Sequence, residues 1–186
     1  MKKILVMLFG VMLLCAIPLM ASANPYQVIG TGAITWADAR AAAQALPGGW
    51  DLASITSASE QTAVDAAIAA YNPAPADRTE FWIGGMWDVN TTWTPGQWVS
   101  GETWGYTNWW DGEPNSVDGN EAHLAVDWRL PTSGGPAGGA WMWNDEGSAP
   151  QYIVGYVAES VPEPTTMLLL GLGLLGVAGI RRKFKV

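Results

Sequence analysis

The sequence predicts an α+β domain. Between residues 35 and 72 two segments repeat apolar residues at helical spacing, each opened by a capping signature. From Phe81 onward the pattern changes to short runs rich in Trp, Val and Thr, broken by Gly, Pro and Asn. Helices first and strands afterwards, within one block from Asn24 to Ser160 that also holds all twelve tryptophans, is the order of an α+β fold built on a single core.

The first helix begins at Thr35-Trp36-Ala37-Asp38, carries Trp36, Ala39, Ala43 and Leu46 on one face, and stops at Pro47-Gly48-Gly49. The second begins at Ser57-Ala58-Ser59-Glu60, with Val64, Ile68 and Tyr71 as its apolar stripe and Asn72-Pro73 as its end. The runs FWIGGMW, GQWVSG, AHLAVDW, AWMWND and YIVGYVAE read as short strands separated by long loops. Leu130 to Ala140, mostly Gly, Pro and Ser, reads as a surface insertion. Trp36, Trp82, Trp98 and Trp143 are the core candidates, each able to bury roughly 150 to 250 Å².

The two ends carry different signals. Lys2 and Lys3, an apolar run from Ile4 to Leu19, and Ala21-Ser22-Ala23 have the order of a secretory signal peptide over residues 1–23. The only cysteine, Cys15, lies inside that leader, so the exported chain is expected to hold no thiol and no disulfide. At residues 161–186 a proline-rich stop precedes an apolar stretch, Met167 to Ile180, and then Arg181, Arg182, Lys183 and Lys185. Fourteen apolar residues with four glycines are short for a span, yet the basic cluster is the flank expected on the cytoplasmic side. This end resembles the PEP-CTERM sorting signal through Pro162, Glu163 and Pro164, the membrane helix and the Arg-rich tail. The resemblance implies recognition by an exosortase, removal of the segment near that motif, and delivery to the outer surface or extracellular matrix of the cell envelope. A plain C-terminal membrane anchor is the competing reading.

All seventeen acidic residues lie between Asp38 and Glu163, where only Arg40, Arg78 and Arg129 are basic, a net charge of −14. Such a surface repels nucleic acid and anionic polymers and attracts cations.

One stretch concentrates the chemistry. In NWWDGEPNSVDGNE, Glu113 and Asn115 flank Pro114, and side chains at i and i+2 of an extended segment leave the backbone on one side. Glu121 returns beyond a turn-rich spacer, and Asn144-Asp145 ends the Trp-rich strand. These are hard oxygen donors of the kind calcium takes, six to eight at a time. Solvated acidic turns use the same residues, so spacing alone leaves both readings open.

The order of ITWADARAAAQALPGGWDLASITSASEQ, FWIGG, WVSGETWGYTNWWDGEPN, WMWND and YIVGYVAE resembles the C-type lectin-like domain from about Tyr26 to Glu159. The resemblance implies two helices, short antiparallel sheets and a long calcium- and ligand-binding loop. It further implies that Glu113, Asn115, Glu121, Asn144 and Asp145 bind Ca²⁺ and, through it, vicinal sugar hydroxyls, with a preference for mannose-type diols. The cell's own exopolysaccharide is one candidate ligand. A second calcium site is not expected, since Ser116 and Ala122 stand where acids belong and only Asp88 remains upstream. The family's two disulfides are missing here, and His123 stands about where one cysteine would fall.

Two other functions compete. A hydrolase needs an acid and a base or nucleophile at fixed separation, and Asp127, Asp145 and Glu146 are the carboxylates available. The residues expected at the metal site already have a role, His123 sits in an alternating apolar run, and no nucleophile elbow is present, so the chain reads as a non-enzyme. A protein-interaction or structural module of the same fold is the alternative, for which Trp109 and Trp110 would serve a partner as readily as a sugar.

Overall fold

The computed structural model describes residues 26–72, 74–86, 96–147 and 151–160. The leader, the Met167 to Ile180 run with Pro162, Glu163 and Pro164, and Asp88 lie outside them. Among the described residues no helix is long and apolar enough to cross a membrane. The elements run β1 (Tyr26–Gly30), α1 (Trp36–Gln44), β2 (Trp50–Leu52), α2 (Ala58–Tyr71), β3 (Thr79–Met86), β4 (Gln97–Trp98), β5 (His123–Arg129), β6 (Ala140–Glu146) and β7 (Ile153–Ser160).

Both helices start where their capping residues stand. Thr35 Oγ1 accepts the Asp38 N–H at 3.1 Å, and Ser57 Oγ accepts that of Glu60 at 3.3 Å. The Glu60 carboxylate does not close a reciprocal box on Ser57. It reaches one residue further back and accepts the N–H and hydroxyl of Thr56 at 2.6 and 2.7 Å. Helix α1 buries Trp36, Ala39 and Ala43, and α2 buries Val64, Ala67 and Ile68. Tyr71, expected on the buried stripe of α2, is 51% exposed, because only its ring edge reaches the core, against Phe81.

The strands form one seven-stranded sheet in the order β1-β7-β3-β5-β6, with β2 also on β7 and β4 on β3. It is not wholly antiparallel: β3 runs parallel to β7, pairing Phe81 with Gly155 and Trp82 with Tyr156. The strand β7 is held on both flanks, Tyr26 facing Glu159 on one side and Asp51 facing Glu159 on the other. From Thr79 to Gly85 every residue of β3 is buried, which explains its continuous apolar reading. Phe81 and Ile83 pack with Val126, Trp143 and the α2 residues Val64 and Ile68 on one face. Trp82 packs with Ala125, Tyr156 and the α1 residues Trp36 and Ala39 on the other.

All four core candidates are buried: Trp36, Trp82, Trp98 and Trp143. Three of their indoles also donate across the fold. Trp36 Nε1 bonds the Ile83 carbonyl at 2.8 Å, Trp82 Nε1 the Ile34 carbonyl at 2.9 Å, and Trp143 Nε1 the Gln61 Oε1 at 2.7 Å. Trp98 differs, its buried Nε1 having no partner. It stacks on Trp104 with centroids 4.6 Å apart. His123 lies face to face with Trp36 at 4.6 Å and edge-on to Trp82, a packed ring whose proton affinity burial lowers.

Leu130 to Ala140 is the β5–β6 connection. Asp77 fastens it by accepting the Leu130 N–H at 2.9 Å and the hydroxyls of Thr132 and Ser133 at 2.5 and 2.8 Å. The segment lies at the surface, and Asp77 is an anchor for it that composition does not reveal.

Trp143→Ala should cost about 3 to 5 kcal/mol in urea unfolding, since it empties the centre of the larger core and frees Gln61. Gln61→Leu should cost about 1 to 3 kcal/mol, the price of an orphaned buried indole donor. Equal stability of Gln61→Leu and the parent chain would mean that the Trp143–Gln61 bond carries nothing.

Candidate functional site

The loop from Asn108 to Glu121 enters as an extra edge beside β6. Its Asn108 carbonyl accepts the Trp143 N–H at 2.6 Å, and its Trp110 N–H donates to the Trp143 carbonyl at 3.0 Å. Trp110 is buried at 6% exposure, and its indole donates to the Asp127 carbonyl at 3.1 Å. It is thus a wedge under the loop and not a stacking surface for a ligand. Trp109 remains half-buried, edge-on to Trp143 at 5.6 Å.

Beyond Trp110 the chain turns through Gly112 at φ 86° and passes a cis Glu113–Pro114 bond. The next two amides then fasten to β6: Asn115 N–H donates to Asp145 Oδ1 at 3.0 Å, and Ser116 N–H to Asp145 Oδ2 at 2.7 Å. Ser116 takes a left-handed conformation, φ 48°, to bring both amides onto one carboxylate. One residue on, the Val117 N–H is shared between Asn115 Oδ1 at 3.0 Å and Glu121 Oε2 at 2.6 Å.

Four of the five expected residues are linked through two points, Glu113 and Asn115 at the Asp145 carboxylate and Asn115 and Glu121 at the Val117 amide, and the fifth stands apart from both. Asn144 is adjacent on β6 and buried, and its amide group donates to Glu146 Oε1 at 2.6 Å. Glu113 lies between Arg129 and Asp145. Its Oε1 accepts from Arg129 Nη2 at 3.0 Å, while its Oε2 is buried without a hydrogen-bond partner. Burial raises the proton affinity of Glu113 and the nearby Asp145 charge raises it further, against the pull of Arg129. Among the described residues no three His, Cys, Asp or Glu side chains converge as a ready-made metal cage. An orphaned, buried carboxylate oxygen beside a second carboxylate nevertheless fits a hard cation, because each carboxylate keeps lone pairs beyond its present bonds.

Behind this loop lies a group of charges that sequence reading did not assemble. Arg129 Nε bonds Asp127 Oδ2 at 2.5 Å and its guanidinium sits 5.2 Å from the Trp110 ring centroid. Arg78 bonds Glu80 at 2.8 Å and lies 3.7 Å from both Asp127 and Glu146. Glu80 and Asp127 pair in register across β3 and β5 and are both fully buried. Burial, then the Glu146 charge, pushes Glu80 up to about 8. Burial, then the Glu80 charge, pushes Asp127 up to about 7. The i, i+2 spacing of Asp127 and Arg129 is the signal the sequence carries, since a strand that runs one residue past AHLAVDW places both on one face. Full burial also removes Asp127 from any role as a hydrolytic acid or base acting on a substrate.

Comparison with solved structures places the fold. The C-type lectin CEL-I from Cucumaria echinata superposes with a TM-score of 0.56 at 24% identity, over 74% of this chain and 90% of that one. Its EPNH mutant gives 0.57 at 26% identity, over 74% and 89%. The C-type lectin domain of murine dendritic cell inhibitory receptor 2, solved in complex with N-glycan, gives 0.51 at 18% identity, over 74% and 90%. No curated protein sequence matches significantly. Residues 160–183 match the model of the PEP-CTERM protein-sorting motif.

The domain has the C-type lectin fold. More particularly, it is a C-type lectin fold on a chain that ends in a PEP-CTERM sorting motif, the mark of an exported protein sorted to the envelope by its C terminus.

Buried carboxyls that hold protons in the folded state fix the sign of a pH effect. Glu80, Asp127 and Glu159, the last pushed up to about 7 by burial, bind protons more tightly folded than unfolded. Their contribution is complete below the ordinary carboxyl range and is lost as pH rises towards 8. The thermal midpoint should fall between pH 5 and pH 8, and Glu80→Gln should flatten that slope. A midpoint that climbs over this interval would contradict the assignment.

Proposed function

We propose that the protein is an exported surface or matrix lectin that binds carbohydrate in a calcium-dependent manner through Glu113, Asn115, Glu121, Asn144 and Asp145. The observation that carries this reading is the buried Glu113 Oε2, left without a partner beside Asp145 on a loop fastened to that same carboxylate. Calcium held by these residues would supply a Lewis-acidic centre for two vicinal hydroxyls. The chain's own part is to orient the oxygens: Asp145 by two backbone amides, Asn115 and Glu121 by Val117, and Glu113 by Arg129. The fit to a mannose-type diol rests on the Glu-Pro-Asn order, and the cell's own exopolysaccharide as ligand rests on the PEP-CTERM signal of the tail. The N-glycan in the murine receptor domain supports a glycan as the ligand class.

The same reading assigns residues 1–23 to a signal peptide and 24–160 to the lectin domain. It takes Pro162, Glu163 and Pro164 as the motif an exosortase recognises and Met167 to Ile180 as the membrane helix before processing. A protein-interaction module remains the second reading, favoured by the half-buried Trp104, Tyr106 and Trp109 beside the loop.

Calcium at a hundred times its Kd should stabilise the folded chain by about 2.7 kcal/mol and raise the thermal midpoint accordingly. Glu113→Gln combined with Asn144→Ala should abolish that rise. Asn115→Asp should keep the calcium response and lose retention on a mannose matrix. Sugar retention that survives both Asn115→Asp and Glu113→Gln would place the binding site elsewhere.

A further inference from the structure

Arg129 ties the loop to the buried charges behind it by ion pairs. Three contacts fix its guanidinium: Asp127 Oδ2 on its own strand, Glu113 Oε1 on the loop, and the Trp110 ring. Its side chain is only 12% exposed, that of Glu113 is 7% and that of Asp127 is 0%. A fork of donors held at one end by a buried carboxylate is stiff, and it fixes which of the two Glu113 oxygens is engaged. The other oxygen is the buried, unpartnered Oε2 beside Asp145. Without a positive charge at this point, Glu113 would face Asp145 as one buried anion against another.

We propose that Arg129, braced by Asp127, is an internal cation that holds the Glu113–Val117 loop closed on β6 before any metal arrives and keeps one Glu113 oxygen aimed at the ligand site. Arg129 is then a positioning residue, acting through Glu113. Its loop-closing role stands on the contacts alone, and its effect on calcium rests on the reading given under Proposed function. The arrangement differs from a loop ordered only by its ligand, because the counter-charge is part of β5 and is fixed when the sheet forms.

The test follows amide hydrogen exchange at Asn115, Ser116 and Val117 in the full chain, purified in detergent and kept in EGTA. The parent chain should protect all three amides without metal. Arg129→Gln should speed their exchange at least tenfold while Val126 and Trp143 in the sheet stay protected, which shows that the fold survives. Arg129→Lys, which keeps the charge and loses the fork, should fall between the two and serves if the glutamine variant does not fold. Loop amides that are unprotected in the parent chain until calcium is added, or equally protected in Arg129→Gln, would overturn the proposal.

Calcium titration of the same samples separates this inference from the reading beneath it. Arg129→Gln should weaken calcium binding ten- to a hundredfold, as loss of groups that orient metal ligands does. Unchanged or tighter binding would overturn the positioning role and make Arg129 a competitor of the metal. No calcium binding in the parent chain, with loop protection still lost in Arg129→Gln, would leave the internal cation standing and sink the calcium reading alone.

Discussion

Buried indole N–H groups that donate across the fold are what the rest of this structure depends on. A buried indole must find an acceptor or forfeit its hydration. Trp36 and Trp82 find theirs on segments far away in sequence, Ile83 and Ile34, so the first helix and its approach are tied reciprocally to the central strand. Trp143 ties β6 to α2, and Trp110 ties the loop to β5. Each bond joins two elements around a ring that also fills core volume, in a block that holds no cysteine. His123, about where the family resemblance would put a cysteine, adds a ring packed on Trp36.

The second constraint is charge. A domain with few basic residues cannot neutralise its acids evenly, and here two of its three arginines are placed inside one buried group. Arg78 and Arg129 serve Glu80, Asp127, Glu146 and Glu113 between them. The two cations are outnumbered, and the remaining negative charge is met by raised proton affinity at Glu80 and Asp127. The strands under the loop therefore supply its electrostatic setting as well as its geometry.

Much of this was legible in the sequence, for reasons that are local. Thr35 and Ser57 announce helix starts because a cap needs only its own turn, and Trp82 and Trp143 announce a core because rings of that size are seldom left in water. The five oxygen-bearing residues were legible as a set by their resemblance to a family. What stayed hidden is non-local. β1 is too short to show a period and exists because β7 lies beside it. The parallel pairing of β3 with β7 and the burial of Trp110 depend on neighbours distant along the chain. Arg129 lies one residue beyond the run AHLAVDW, and nothing in a sequence says that Glu113 will fold back over it.

The double flanking of β7 has a mechanical consequence. Ser160, its last residue, is where the domain joins the tail, and both β1 and β2 pair with the final residues of that strand. A load applied at Ser160 along the axis of β7 would be shared by backbone hydrogen bonds on both edges of the strand, in shear, instead of opening them one at a time.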